Sequence, residues 1–183
     1  MIGLKAEGLR LKIETPLTEE VIESLKAGDM VLIDGYVYTA RDAAHKRLVE
    51  LIKNDAPLPF DIKGQVIYYV GPTPAPSGRV IGSAGPTTSS RMDSYTPLLL
   101  SLGLKGMIGK GHRSEEVIQA IQKYKAVYFL AAGGAGALLS RHVVSVEEIA
   151  FPELGTESIK KLLLKDFPVI VAIDCHGGDI FKR

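Results

Sequence analysis

Gly106-Met107-Ile108, then Ser114-Glu115-Glu116, then Ala126-Val127-Tyr128-Phe129-Leu130-Ala131: the reading of this stretch decides the fold class. Two short apolar runs flank a segment that opens on a serine cap with acids in its first turn, so it reads strand, helix, strand. Such a unit sets its two strands parallel and sends the helix across between them. The rhythm extends upstream. Residues 65–70 form an apolar, aromatic run expected to be a buried strand, and residues 95–102 are expected to be a helix. Met30 to Ile33 and Tyr36 to Thr39 are β-rich runs divided by Asp34-Gly35, a hairpin signal, and a helix is expected from Arg41 to near Asn54. Residues 4–14 read as a strand, and Pro16 and Thr18 introduce a short helix rich in glutamate. Downstream, residues 137–141 read as a short helix, 143–150 as extended chain, 156–164 as a short helix and 168–173 as a last strand. A hairpin-like first half and an α/β second half predict a layered, mixed α/β fold.

Composition sets the bounds. The chain has 183 residues, 46% of them hydrophobic, enough to bury a core in one domain spanning 1–183. Twenty-two basic and twenty-one acidic side chains leave a formal charge of +1, which gives no footprint for nucleic acid. The single cysteine, Cys175, excludes an intramolecular disulfide and any metal or iron-sulfur site built from this chain's cysteines alone, so no metal site is expected here. No stretch approaches the roughly 18 apolar residues of a membrane span, and no apolar leader is apparent; the expected location is cytoplasmic.

Chemistry concentrates in Gly82-Ser83-Ala84-Gly85-Pro86-Thr87-Thr88-Ser89-Ser90-Arg91-Met92-Asp93. Arg79-Val80-Ile81 before it reads as a strand, the glycines and proline make a turn, and four hydroxyl residues stand where they can cap a helix whose N–H groups face an anion. Taken alone, the stretch reads equally as an ordinary Gly-Pro turn with a polar cap. Arg91 adds a two-pronged donor suited to a carboxylate or phosphate. Two more cations stand at comparable places, Arg41 after a strand and Lys110 within Gly109-Lys110-Gly111-His112, and residues at the carboxyl ends of strands in such sheets converge on one crevice. Two arginines and a lysine suit a small dianion. Gly133-Gly134-Ala135-Gly136 lacks the dinucleotide-site spacing and is expected to serve close packing or substrate approach. His45, His112, His142 and His176 show no metal-ligand spacing, and only His112, beside Lys110, invites a functional reading. Thr87 and Thr88 are weak bases that need a neighbouring cation or a partner's groups. The apparatus looks half complete.

Tyr38-Thr39-Ala40-Arg41-Asp42-Ala43-Ala44-His45, Gly71-Pro72-Thr73-Pro74, Ser83 to Asp93, Ile108-Gly109-Lys110-Gly111 and Phe151-Pro152-Glu153-Leu154-Gly155 together resemble the β subunit, or C-terminal domain, of iron-sulfur hydro-lyases of the class I fumarase and L(+)-tartrate dehydratase type. The resemblance implies a swivelling β/β/α three-layer domain with a parallel central sheet and a second antiparallel sheet. It implies a [4Fe-4S] cluster held by a partner α subunit rather than by this chain, a hetero-oligomer, and reversible hydration of a four-carbon dicarboxylate, fumarate to malate first and tartrate as the alternative. By position, Arg41, Arg91 and Lys110 match substrate-carboxylate ligands, Thr87 matches a threonine proposed to take the proton from carbon, and Thr88 is its neighbour; Thr87 and Lys110 are the expected catalytic pair. Thr88, Ser89 and Ser90 are expected to be cap and ligand contacts, with Thr87 and Thr88 counted among the substrate-binding residues. The competing reading is a module that binds a small anion, or positions another subunit, without chemistry.

Overall fold

The computed structural model describes residues 5–7 and 10–182. Strands β1 (Lys5–Glu7) and β2 (Arg10–Glu14) form an antiparallel pair, and Leu4, Gly8 and Leu9 of the expected first strand lie outside the described residues. Helix α1 (Glu19–Ser24) follows, its first turn capped by the Thr18 hydroxyl accepting from Val21 N–H. Next come β3 (Met30–Thr39), α2 (Asp42–Lys53), β4 (Val66–Tyr68), α3 (Thr96–Ser101), β5 (Gly106–Gly109), α4 (Glu115–Lys123), β6 (Val127–Leu130) and α5 (Gly136–Leu139). Two long strands close the chain, β7 (Val143–Ala150) and β8 (Ile159–Ile173).

The expected strand-helix-strand unit is present: β5 and β6 pair in parallel, and α4 between them is capped by Ser114, whose hydroxyl accepts from Val117 N–H. Parallel pairing extends through β2, β3, β4 and β5. The antiparallel part, expected as a second sheet, is continuous with it, for all eight described strands belong to one sheet. Strand β8 pairs antiparallel with β3, β6 and β7, so that β3, β4, β5, β6 and β8 form a closed circuit of hydrogen-bonded neighbours.

The pleat sorts the strand residues into two cores. Val31, Ile33, Val37, Tyr68, Ile108, Phe129, Leu162, Leu164, Phe167 and Val171 fill the inside of the circuit, joined by Val21 and Ile22 from α1 and Leu25 just after it. Ile67, Tyr69, Met107 and Tyr128 face the other way, under Leu48 of α2, Leu99 and Leu100 of α3 and Val117 and Ile121 of α4. Residues that alternate along one strand therefore enter different cores, which fixes register against a one-residue slip.

Four expectations change. Asp34-Gly35 is a bulge inside the continuous strand β3, not a hairpin turn. Gly35 adopts φ +102°, and Asp34 is held from both sides, by Lys165 Nζ at 2.5 Å and Lys12 Nζ at 3.2 Å, so the kink is absorbed without reversing the chain. The expected helix over 156–164 is strand: β8 already runs from Ile159 with β3 and β7 on its two sides, and this pairing overrides the helix preference of Lys and Leu. Arg79-Val80-Ile81 is loop. It is one leg of the proline-rich connection, whose two legs are pinned where Thr73 and Gly82/Ser83 exchange hydrogen bonds. The expected helix over 95–102 shortens to α3, preceded by a four-residue 3-10 turn over Ser89–Met92, and no hydroxyl caps either.

Candidate functional site

Because β3, β4, β5 and β6 are parallel, the segments leaving their carboxyl ends share one edge. Arg41 follows β3 and occupies the N-cap of α2; Lys110 follows β5; the Gly133-Gly136 loop follows β6. Thr87 reaches the same edge through its backbone, donating to Tyr69 O at 2.7 Å just beyond β4. Thr88 forms a parallel bridge with Lys110, and Ser89 N–H donates to Lys110 O at 2.9 Å. The Gly-Pro stretch is thus laid as extra backbone over the ends of β4 and β5.

That arrangement explains why the hydroxyl run is not a helix cap. Ser89 is fully buried: its hydroxyl accepts from Tyr128 OH at 2.9 Å and from Lys110 N–H at 3.1 Å. Expected as a cap or ligand contact, Ser89 is instead a structural pin. Gly109 makes room for it, since a Cβ there would overlap the Ser89 hydroxyl. Thr87 and Ser89 spend their N–H groups on Tyr69 and Lys110, so these amides are not free to face an anion. Thr88 and Ser90 are exposed, and Thr87 is half-buried, with no partner for its hydroxyl among the described residues.

The structure brings Arg41 and Arg91 together. Arg91 Nε donates to Asp42 Oδ1 at 2.9 Å, while Arg41 Nε lies 3.9 Å from Asp42 Oδ2 and its Nη2 lies 3.5 Å from Glu157 Oε1. Arg41 passes over Gly71, where a Cβ would stand 3.0 Å from Nη1. Glu157 ends the 3-10 segment Pro152–Glu157 and also accepts from Ala43 N–H at 3.0 Å, satisfying an orphan donor of α2's first turn. The Phe151-Pro152-Glu153-Leu154-Gly155 motif therefore acts as a buttress of α2, with Glu153 paired to Arg47 at 3.1 Å. Lys110 is exposed and has no carboxylate in ion-pair reach among the described residues. Its side chain runs beside Gly133, where a Cβ would be 3.6 Å from Cδ. Gly136, accepting from Ala84 N–H at 3.1 Å, packs the same loop against Gly85.

Sequence reasoning missed the supports beneath these cations. Arg113 has no exposed side-chain surface; its Nε donates to Asp93 Oδ1 at 2.7 Å and its Nη2 to Thr96 Oγ1 at 2.8 Å and Tyr69 OH at 3.3 Å. Asp93 also takes Ser114 N–H at 2.6 Å, tying the 3-10 turn that carries Arg91 to the start of α4. No local pattern links Asp93 to Arg113. The His112 ring packs on Phe181, centroids 4.2 Å apart.

His45, which by sequence shows no metal-ligand spacing, is packed in a specific way. The buried ring lies against Tyr69 and Tyr95, its Nδ1–H donates to Arg41 O at 2.8 Å, and Nε2 has no partner among the described residues. Burial pushes its pKa down to about 4, and nearby Arg113 adds to the effect, against the opposing pull of the Arg41 carbonyl and Asp42. The unfolded chain therefore takes up a proton below the ordinary 6.5 that the folded chain refuses until about 4, and stability falls with pH through that window. Urea unfolding should show the protein losing about 2 kcal/mol more than its His45→Gln variant between pH 7 and pH 5. Equal losses would show that His45 titrates normally.

Among the described residues no group of three His, Cys, Asp or Glu could hold a metal ion, and no helix is long and apolar enough to cross a membrane. Cys175 follows the end of β8, whose Ile173 pairs with Tyr128 near the start of β6, so the thiol lies at the edge opposite the cations. This chain's residues do not fit an iron-sulfur cluster.

A family model described as fumarase C-terminus matches residues 3–183. The "Putative L(+)-tartrate dehydratase subunit beta" of Methanocaldococcus jannaschii is 38% identical over 173 residues, covering 91% of this chain and 89% of that protein. Fumarate hydratase 2 of Leishmania major is 34% identical over 186 residues, and the anaerobic class I fumarate hydratase of Escherichia coli 37% over 183. The chain spans 33% of the length of each of these two fumarate hydratases.

Proposed function

Because the chain belongs to the fumarase C-terminus family, we propose that it is the β-type component of a hydro-lyase, supplying the carboxylate-binding wall of a site completed by an α-type partner. The substrate is a four-carbon dicarboxylate, fumarate and malate in the first reading. Tartrate is the second, because the archaeal relative bears that name. The observation that carries the proposal is the convergence of Arg41, Thr87 and Lys110 on the carboxyl edge of β3, β4 and β5, with Arg91 drawn to Arg41 through Asp42. In this reading residues 1–183 are one domain of the swivelling β/β/α type, and the [4Fe-4S] cluster belongs to the partner.

The chain's own share of the chemistry is binding and one proton. Two guanidinium groups and an ammonium offset the two negative charges of the substrate and hold it against the edge. Asp42 and Glu157 cancel part of that charge, which keeps the cations in place without making the edge a general anion trap. In dehydration Thr87, its own hydroxyl proton first passed to a basic group of the partner, takes the proton from carbon as hydroxide leaves the neighbouring carbon; in hydration it returns that proton to carbon and recovers its own from the partner. Thr88 and Lys110 shape the same wall.

The test is reconstitution. The chain alone is expected to neither hydrate fumarate nor dehydrate tartrate; with an α subunit and its rebuilt cluster, one of the two reactions appears. Activity of the isolated chain would sink the split site. Tight calorimetric binding of malate to the chain alone, with no turnover by the assembly, would establish the non-catalytic module instead.

A further inference from the structure

Arg41 and Arg91 come from different elements, and one carboxylate stands between them. Asp42 Oδ1 holds Arg91 Nε at 2.9 Å. Among the described residues its Oδ2 is buried without a partner, and 3.9 Å away Arg41 Nε is also buried without one. A solvated acid in the first turn of a helix would not leave an oxygen in this state, because a buried acceptor without a donor is costly. An orphan donor and an orphan acceptor this close are two halves of one unmade bond.

A guanidinium has two forked edges: the end formed by both Nη atoms, and the side formed by Nε and one Nη. A carboxylate at Nε takes the side edge and leaves the end edge open. We propose that Asp42 is the positioning residue of the site, taking the Nε of both arginines so that each presents its end edge to a substrate carboxylate. The Arg91 half is made. The Arg41 half stays open while Nη2 leans toward Glu157 Oε1 at 3.5 Å. A carboxylate docking on the Arg41 end edge replaces Glu157 and lets Nε close on Oδ2. Asp42 itself touches no substrate.

The inference rests on the reading of Arg41 and Arg91 as carboxylate ligands, but half of its test does not. In the isolated chain, nuclear magnetic resonance should show Arg91 Nε–H exchanging with water about tenfold more slowly than that of exposed Arg79, and this protection should vanish in Asp42→Ala. The wild-type comparison needs no folded variant. Equal exchange at Arg79 and Arg91 overturns the proposal. In the assembled enzyme, Asp42→Ala and Asp42→Asn should raise KM for L-malate by about tenfold or more with kcat nearly unchanged, as expected when uniform substrate binding is lost. Asn keeps an acceptor for Arg91 but turns an amide toward Arg41, so a wild-type KM in Asp42→Asn also overturns the bridging role. A wild-type assembly inactive on every substrate would refute the hydro-lyase reading and leave the exchange result to decide on Asp42.

Discussion

Replacing Thr87 by Val is expected to lower kcat of the assembled enzyme about a thousandfold, within the range seen when a general base is removed. Valine keeps the shape, and the backbone bond from residue 87 to Tyr69 O does not depend on the side chain. Since the Thr87 hydroxyl has no partner among the described residues, its loss should move the unfolding midpoint little. Kinetics then separate two roles. A fall in kcat with KM steady marks a group that acts in the transition state, whereas a rise in KM with kcat steady reduces Thr87 to a substrate contact. The second outcome would return the proton transfer to the partner and leave this chain only the binding wall.

Arg113→Leu is expected to cost about 4 kcal/mol of stability, the scale for breaking a buried ion pair from one side. The guanidinium has no exposed side-chain surface, and Asp93 is only 13% exposed. Burial works against the charge on Arg113, while Tyr69, Asp93 and Tyr128 favour it, and the balance holds it above its ordinary value. Truncation strands Asp93 and removes the donor serving Thr96 and Tyr69. Urea unfolding of Arg113→Leu, Asp93→Asn and the double variant measures the coupling; independent losses that simply add would show that the pair does not act as a unit. Because Asp93 lies two residues beyond Arg91, activity should fall along with stability.

The parallel part of this fold was legible where local signals and tertiary pairing agree. Ser114 with Glu115 and Glu116 marks a helix start whatever surrounds it, and the apolar runs at 106–108 and 126–131 are too short for helices. Residues 156–164 were misread because Lys160 to Leu164 suits a helix, and only β3 and β7 on either side make it a strand. Asp34-Gly35 was misread for the opposite reason: the dipeptide is a sound turn signal, but Lys12 and Lys165, distant in sequence, hold it as a bulge. The candidate cations could be singled out one at a time, Arg41 and Lys110 because each follows a strand and Arg91 because it follows a Gly-Pro turn. Their supports could not, since Asp93 with Arg113, and Ser89 with Tyr128, acquire meaning only as pairs. Asp42 was in plain view beside Arg41, yet an acid at a helix start has an ordinary explanation until its buried Oδ2 is seen to lack a donor among the described residues.

The closed circuit of strands bears on how the site comes apart. Strand β8 contributes Leu162, Leu164, Phe167 and Val171 to the interior core, and Ile159, Ala172 and Ile173 to the core beneath the helices. Peeling it away would open the ring and wet both cores together, so neither can melt while the other persists. The cation edge is thereby insured against gradual loosening: its spacing survives until the whole assembly of strands gives way, and heat should abolish ligand recognition and fold in a single step.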